Sequence, residues 1–96
     1  MMIYEYVVTI GHKYQIDSFK GYKLLRKDHK ELLNGKVYYN SKNSLRIETT
    51  LLYGVGQKVS IGGYPIGGKK FHLLEVSMTD NPVLDFAEVI SRKEKK

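Results

Sequence analysis

The sequence contains no cysteine. Disulfide bonds, thiolate zinc sites and a cysteine nucleophile are therefore all excluded, which fits a reducing compartment. Its uninterrupted apolar runs are only a few residues long, far short of the roughly 20 residues that span a bilayer as a helix. The first ten residues have no basic flank and no small-residue cleavage site, so they do not predict a signal peptide. These absences predict a cytoplasmic protein without a membrane partner.

Arginine is scarce, because 13 of the 16 basic residues are lysine. Arginine is the side chain that recognises phosphate groups and guanine with two parallel hydrogen bonds. Its scarcity argues against a sequence-specific reader of DNA. The same bias, together with abundant Asn, Ile and Tyr, is expected of an AT-rich genome, such as that of a low-GC bacterium or its phages.

The length of 96 residues and the apolar fraction of 42% predict one folded domain. Nine glycines divide the chain into short runs that are rich in Tyr, Val, Ile and Thr. Short runs of such residues separated by glycines are typical of an antiparallel β protein. We expect a β-rich domain over residues 1–91, followed by a charged C-terminal tail over residues 92–96.

Alternating apolar residues locate the longest expected strands. Residues 2–10 place Tyr4, Tyr6, Val8 and Ile10 on one face, and residues 45–53 alternate in the same way. Further strands are expected around Val59 to Ile61 and over residues 70–77, joined by a loop at 62–68.

Asn34-Gly35 is the strongest turn motif in the chain, because Asn and Gly accept the two positive φ angles of a type I′ turn most readily. It predicts a tight hairpin between Leu32-Leu33 and the apolar residues that follow. Residues 26–33 are compatible with either a helical turn or a charged extension of a strand.

Residues 82–91 are compatible with two structures. Asn81 and Pro82 form a good helix start, and Phe86 and Ile90 then share a helical face, which slightly favours a helix. Alternation of the same residues also fits a strand. The expected fold class is mainly β, a small antiparallel barrel or sandwich of about five to seven short strands, with the option of one C-terminal helix.

The net charge of +6 is concentrated in two segments. Residues 20–31 hold five basic and two acidic residues, the tail holds four and one, and the remainder is balanced with seven of each sign. Concentrated positive charge attracts polyanions, although a lysine-rich tail can also serve solubility alone.

Residues 63–70 have the Gly-x-x-x-x-Gly-Lys spacing of a phosphate-binding loop, but Lys70 stands where that loop has a magnesium-binding Ser or Thr. Such a loop also precedes a helix, whereas the residues after Lys70 alternate like a strand. The sequence therefore predicts a glycine-flanked β-loop and not a nucleotidase.

Residues 56–76 contain Gly56-Gln57-Lys58-Val59, then a turn with Gly67-Gly68, and then Leu74-Glu75-Val76. This pattern resembles the KOW element of SH3-like barrels, with Gln57 in place of the usual acidic residue. The resemblance implies a small barrel, and several proteins with this element bind RNA. It identifies no functional residue in this chain.

The three histidines are expected to be structural. His12, His29 and His72 have no second ligand at a metal-binding spacing, and no pair of carboxylates suggests acid–base chemistry. We therefore expect no catalytic residue, no metal and no cofactor. An enzyme whose site is dispersed along the sequence is the third class of function that remains open.

The first functional hypothesis is weak, salt-sensitive and largely sequence-independent binding of RNA or single-stranded DNA. Lysines would neutralise phosphates while an exposed tyrosine stacks on a base, although core or turn packing explains those tyrosines equally well. The candidate nucleic-acid-binding residues are Lys20, Tyr22, Lys23, Arg26, Lys27, Lys30, Lys58, Tyr64, Lys69 and Lys70.

The alternative hypothesis is a protein-binding module, for example a regulatory or inhibitory protein of phage or mobile-element origin. It rests on the tyrosine content, the AT-biased composition and the missing catalytic groups. Such a protein would pair through a strand edge or present the 62–68 loop to an acidic protein partner, as a monomer or a homodimer.

Overall fold

The computed structural model describes residues 2–80 and 87–95, of which 67% lie in strands and none in a helix. The prediction of a mainly β domain is confirmed. The strands are β1 (Ile3–Thr9), β2 (Gln15–Ile16), β3 (Lys23–Lys27), β4 (Glu31–Ser41), β5 (Ser44–Thr49), β6 (Lys58–Gly67), β7 (Lys70–Met78) and β8 (Ala87–Lys95).

Seven strands close into a barrel in the order β7-β3-β4-β5-β1-β8-β6, and β6 pairs with β7 to complete the ring. The β3–β7 pair is parallel and the other pairs of the ring are antiparallel. The two-residue strand β2 runs parallel to the start of β7. Because the ring leaves no row of backbone groups open along most of its strands, closure protects the sheet from edge-to-edge association.

Strand alternation fills the barrel interior. In β1 and the residue after it, Tyr6, Val8 and Ile10 are fully buried, as the sequence predicts. In β5, Leu45 and Ile47 face the same interior. The other buried apolar residues are Ile16, Leu25, Val37, Val59, Ile61, Phe71, Leu73, Val76, Met78, Ala87 and Val89.

The hairpin predicted at Asn34-Gly35 is wrong, because both residues lie inside the continuous strand β4. Gly35 is opposite Thr49 of β5, and it is not among the glycines with positive φ. A Cβ atom at Gly35 would lie 2.6 Å from Cδ2 of the fully buried Leu25. Glycine at this position makes room for a core side chain, so packing outweighs the local turn preference.

The tight turn between β3 and β4 forms instead at Asp28-His29, where φ is +52° and +58°. The Lys30 amide donates to the Lys27 carbonyl at 3.0 Å across this turn. Two consecutive positive φ angles are what a type I′ turn requires, and Asp and His are among the non-glycine residues that tolerate them best. Residues 26–33 are therefore a strand end, a turn and a strand start, without a helical turn.

The structure corrects three other expectations about the second half of the chain. β6 continues to Gly67, so most of the loop expected at 62–68 belongs to a long hairpin with β7. Residues 87–91 of the segment that favoured a helix are strand, and residues 82–86 lie outside the described residues. Residues 92–95, expected as a charged tail, continue β8 because they pair with β1.

Candidate nucleic-acid interface

Four lysines lie on or directly beside three loops that meet at one end of the barrel, and we call Lys13, Lys42, Lys69 and Lys70 the basic rim. The loop after β1 is bound to the β4–β5 turn, since the Ile16 amide donates to the Lys42 carbonyl at 2.7 Å. The same loop is bound to the β6–β7 turn, since the Gln15 amide donates to the Lys69 carbonyl at 2.8 Å. Backbone hydrogen bonds thus bring three basic loops together.

All four side chains of the basic rim are exposed. In the described part of the chain none of them forms a salt bridge, and Lys13 lies 5.9 Å from the ring centroid of Tyr14. The three loops, residues 10–17, 41–44 and 67–70, contain a single carboxylate, that of Asp17. The rim therefore presents uncompensated positive charge to the solvent.

An exposed tyrosine and a half-buried histidine form an aromatic pair on the same hairpin as Lys69 and Lys70. Tyr64 is 50% exposed, and its ring centroid is 5.0 Å from that of His72, its partner on β7. Residues 63–70 are all exposed, so the end of the hairpin stands away from the core. A tyrosine face next to lysines is suited to stacking on an unpaired base.

The predicted residues Lys20, Tyr22 and Lys23 lie in and after the loop between β2 and β3. Lys20 and Tyr22 are exposed, but Lys23 is half-buried with its Nζ 5.1 Å from the ring centroid of Phe19. The ring of Tyr22 is covered by Lys36, whose Nζ lies 4.8 Å from its centroid. Tyr22 is 52% exposed, about as much as Tyr64, but it does not lie on the hairpin that carries Lys69 and Lys70.

The remaining predicted residues lie away from the basic rim. Arg26 faces Glu75 at 3.4 Å and donates to the Lys30 carbonyl at 3.0 Å. Lys27, at the end of β3, and Lys30, in the β3–β4 turn, are exposed and adjoin the acidic residues Asp28 and Glu31 in the sequence. Lys58, at the start of β6, is half-buried opposite Glu88 of β8.

The two basic segments of the sequence do not form one surface. In the ring, three strands separate β3 from β8 in one direction and two in the other. In addition, the lysines of β8 are neutralised: Lys93 bonds Glu5 at 3.0 Å and Lys95 bonds Glu48 at 2.5 Å. The net charge of a sequence segment therefore does not predict the charge of the surface on which that segment lies.

The outer face of β8, β1 and β5 carries an ion network centred on Arg46. Its guanidinium contacts Glu5 at 3.1 Å and also contacts Glu48. Hydrogen bonds from Lys93 and then from Arg46 lower the pKa of Glu5, against the opposing effect of burial. Lys95 and then Arg46 lower the pKa of Glu48 in the same way.

We expect this network to give the fold an acid-sensitive component. Because the folded pKa values of Glu5 and Glu48 lie below their ordinary value of 4.5, the folded state binds fewer protons than the unfolded state. The stabilisation is therefore complete above about pH 4.5 and is lost as the pH falls through the folded pKa values. Urea denaturation over a pH series checks this. At acidic pH, the free energy of unfolding of E5Q/E48Q should fall less steeply with decreasing pH than that of the wild type. The control E94Q alters an exposed carboxylate of β8 and should keep the wild-type slope; equal slopes in all three proteins would contradict the expectation.

One side-chain cluster joins residues that sequence spacing does not connect. His29 contacts Glu75 through Nδ1, and its Nε2 lies 2.8 Å from Ser60 Oγ. These partners are 46 and 31 residues from His29 in the sequence. Sequence spacing gives His29 no partner, because it is the pairing of distant strands that creates these contacts.

A shallow cleft of about 350 Å³ lies beside β3 and β4. Its lining includes exposed apolar side chains of Ile3, Tyr22, Leu24 and Leu32. Exposed apolar side chains of this kind are common at protein interfaces, but nothing in the structure identifies a partner. The protein-binding hypothesis therefore stays a prediction.

Within residues 2–80 and 87–95, no three His, Asp or Glu side chains are placed to hold a metal ion. Nor does any described helix have the length and apolar character needed to cross a membrane. Comparisons with protein families, with curated proteins and with solved structures find no match to this chain. Its function must be argued from the surface itself.

Proposed function

We propose that the protein binds single-stranded nucleic acid through the basic rim. The observation that carries the proposal is the convergence of Lys13, Lys42, Lys69 and Lys70 from three loops at one end of the barrel. Their ammonium groups have no carboxylate partner among the described residues, so phosphate groups can take that place. Tyr64 lies further along the same hairpin and offers a stacking face for a base.

The basic rim consists of lysines, and the chemistry of the lysine ammonium group determines the expected mode of binding. Lysine contacts a phosphate as a flexible point charge and reads no base edge. Binding should therefore depend on salt and little on sequence. The preference for a single strand rests on Tyr64, because a base can stack on the ring only when it is unpaired.

This proposal uses only part of the predicted set. Lys69, Lys70 and Tyr64 remain in the interface, whereas Lys20 and Tyr22 lie in the loop after β2 and have no contact with the basic rim among the described residues. Arg26, Lys27, Lys30 and Lys58 are left out because of their acidic neighbours and their position. Lys13 and Lys42 are added, although neither belongs to a segment with excess charge.

Fluorescence anisotropy with labelled single-stranded DNA, single-stranded RNA and duplex DNA over a salt series tests the proposal. Four phosphate contacts predict a slope of log affinity against log salt of about −3 for a single strand. The variant K69Q/K70Q should flatten the slope by about 1.4, because two contacts are lost. Y64A should weaken single-strand binding, with little change in the slope and in duplex binding.

The matched control is K27Q/K30Q, which removes the same charge from two exposed lysines in and beside the β3–β4 turn. It should leave the slope unchanged. If both double variants reduce the slope equally, binding depends on net charge and not on the basic rim. If no oligonucleotide binds even at low salt, the proposal is wrong, and recovery of a stoichiometric protein from nuclease-treated lysate would favour the protein-binding alternative.

A further inference from the structure

The β3–β4 turn folds over the outer face of β6 and β7. His29, at its tip, is fixed by its backbone amide, which donates to Ser77 Oγ at 2.7 Å. Its imidazole then lies over Ser60, which is only 4% exposed, and beside Glu75. The Arg26 guanidinium donates to the Lys30 carbonyl and holds the turn in this position.

The partners of the imidazole decide its tautomer. Nδ1 contacts the Glu75 carboxylate, and an ionised carboxylate can only accept hydrogen bonds. The neutral ring therefore carries its proton on Nδ1, and Nε2 keeps a free lone pair. That lone pair faces Ser60 Oγ at 2.8 Å, so the serine hydroxyl is the donor in this contact.

The charge of Glu75 is only partly compensated. Its second oxygen, Oε2, faces Arg26 Nε at 3.4 Å and is buried without a hydrogen bond among the described residues. Glu75 therefore concentrates negative charge beside the imidazole. A positive charge that develops on His29 when it takes a proton would be stabilised there.

We propose that Ser60 is an activated nucleophile, with His29 as its base and Glu75 as the residue that positions the imidazole. Its substrate class is a small ester or a related acyl compound. Ser60 Oγ attacks the carbonyl carbon while its proton passes to His29 Nε2. The bond from carbon to the alcohol oxygen then breaks, the alcohol leaves with that proton, and an ester of Ser60 remains.

The substrate size follows from the cover over Ser60. The covering side chain, that of His29, is itself 38% exposed and belongs to a turn with two positive φ angles. Because Ser60 is only 4% exposed beneath this side chain, we expect only a small acyl compound to reach Oγ. The proposal is independent of nucleic-acid binding, because S60A changes no residue of the basic rim.

A fluorophosphonate probe tests the proposal on the full chain. Its phosphorus stands in for the carbonyl carbon: the Oγ–P bond forms, fluoride leaves, and the proton passes to His29. Intact mass spectrometry should show one adduct, and peptide mapping should place it on Ser60. S60A should show none, and H29Q should react roughly 100-fold more slowly, which is the lower range for loss of a general base.

E75Q tests the positioning role. An amide can donate to Nδ1 and so favours the other tautomer, whose Nε2–H no longer accepts the serine proton; labelling should fall while circular dichroism and the melting temperature show a folded barrel. Ser18 and Ser91 are the internal controls, because both are exposed and neither should react. Absence of an adduct on Ser60, or equal rates in the wild type and H29Q, would overturn the proposal.

Discussion

Replacing Gly63 by alanine is expected to lower the free energy of unfolding by about 2–6 kcal/mol, since backbone strain and overpacking each cost about 1–3 kcal/mol. Gly63 has a φ of +155° and lies at the irregularity of the β6–β7 ladder, opposite Leu73. A Cβ atom there would lie 2.0 Å from the carbonyl oxygen of His72 and 2.9 Å from Cε2 of Phe71. The first of these atoms is backbone in a paired strand, so it cannot rotate away.

Gly67 is the matched control on the same strand. It also has a positive φ, +129°, but a Cβ atom there would meet nothing within 4 Å. G67A therefore measures the conformational cost alone, about 1–3 kcal/mol. Urea denaturation at unchanged m-value compares the two variants. If G63A loses no more stability than G67A, the close approach to His72 does not constrain this hairpin.

The Gly63 substitution also connects the fold with the proposed interface. The residue next to it is Tyr64, and the hairpin turn carries Lys69 and Lys70 of the basic rim. If the β6–β7 ladder is displaced, Tyr64 and these two lysines would move away from the loop that bears Lys13. We therefore expect G63A to weaken single-strand binding more than G67A does, in the same anisotropy assay.

Strands that pack by simple alternation could be predicted from the sequence. Tyr6, Val8 and Ile10 are buried as expected because one face of β1 meets the interior along its whole length. The continuous strand through Asn34-Gly35 could not be predicted, since the side chain that decides it, Leu25, comes from the neighbouring strand β3. A local turn motif contains no information about a side chain that comes from a neighbouring strand.

The same limit applies to the sites. The sequence identified Lys69, Lys70 and Tyr64 because they lie within one hairpin. Lys13 and Lys42 were missed, since only backbone hydrogen bonds between loops bring them to the same end of the barrel. The charge counted along the sequence also overestimates the free positive charge of β8, because its lysines pair with carboxylates that come from β1 and β5.

The contacts of His29 show the limit most clearly. Ser60 and Glu75 lie on two paired strands, and the turn that carries His29 reaches them by folding over those strands. No periodicity within any one segment encodes such an arrangement. Only the order of strands β3, β7 and β6 around the ring makes the three side chains neighbours.

Replacing Tyr6 by phenylalanine is expected to cost about 2–4 kcal/mol, although the ring and its packing are kept. The Tyr6 hydroxyl donates to the Leu51 carbonyl at 2.7 Å and accepts from the Tyr53 amide at 2.8 Å. Burial raises the pKa of this hydroxyl, so it stays a protonated donor. Its removal leaves two backbone groups without a partner. Each such group costs about 1–3 kcal/mol when it is fully buried, and the lower part of the summed range is expected because these contacts are only partly buried.

Tyr4 is the matched control, because its ring lies 6.4 Å from that of Tyr6 and its side chain is half-buried. Among the residues that the structure describes, none hydrogen-bonds the Tyr4 hydroxyl. Y4F should therefore stay within about 0.5 kcal/mol of the wild type. Each kcal/mol corresponds to roughly 4–8 °C in melting temperature for a domain of this size, so calorimetry separates the two variants. Equal melting temperatures would mean that water satisfies Leu51 and Tyr53, and that the segment after β5 is held to the barrel by apolar packing rather than by this hydroxyl.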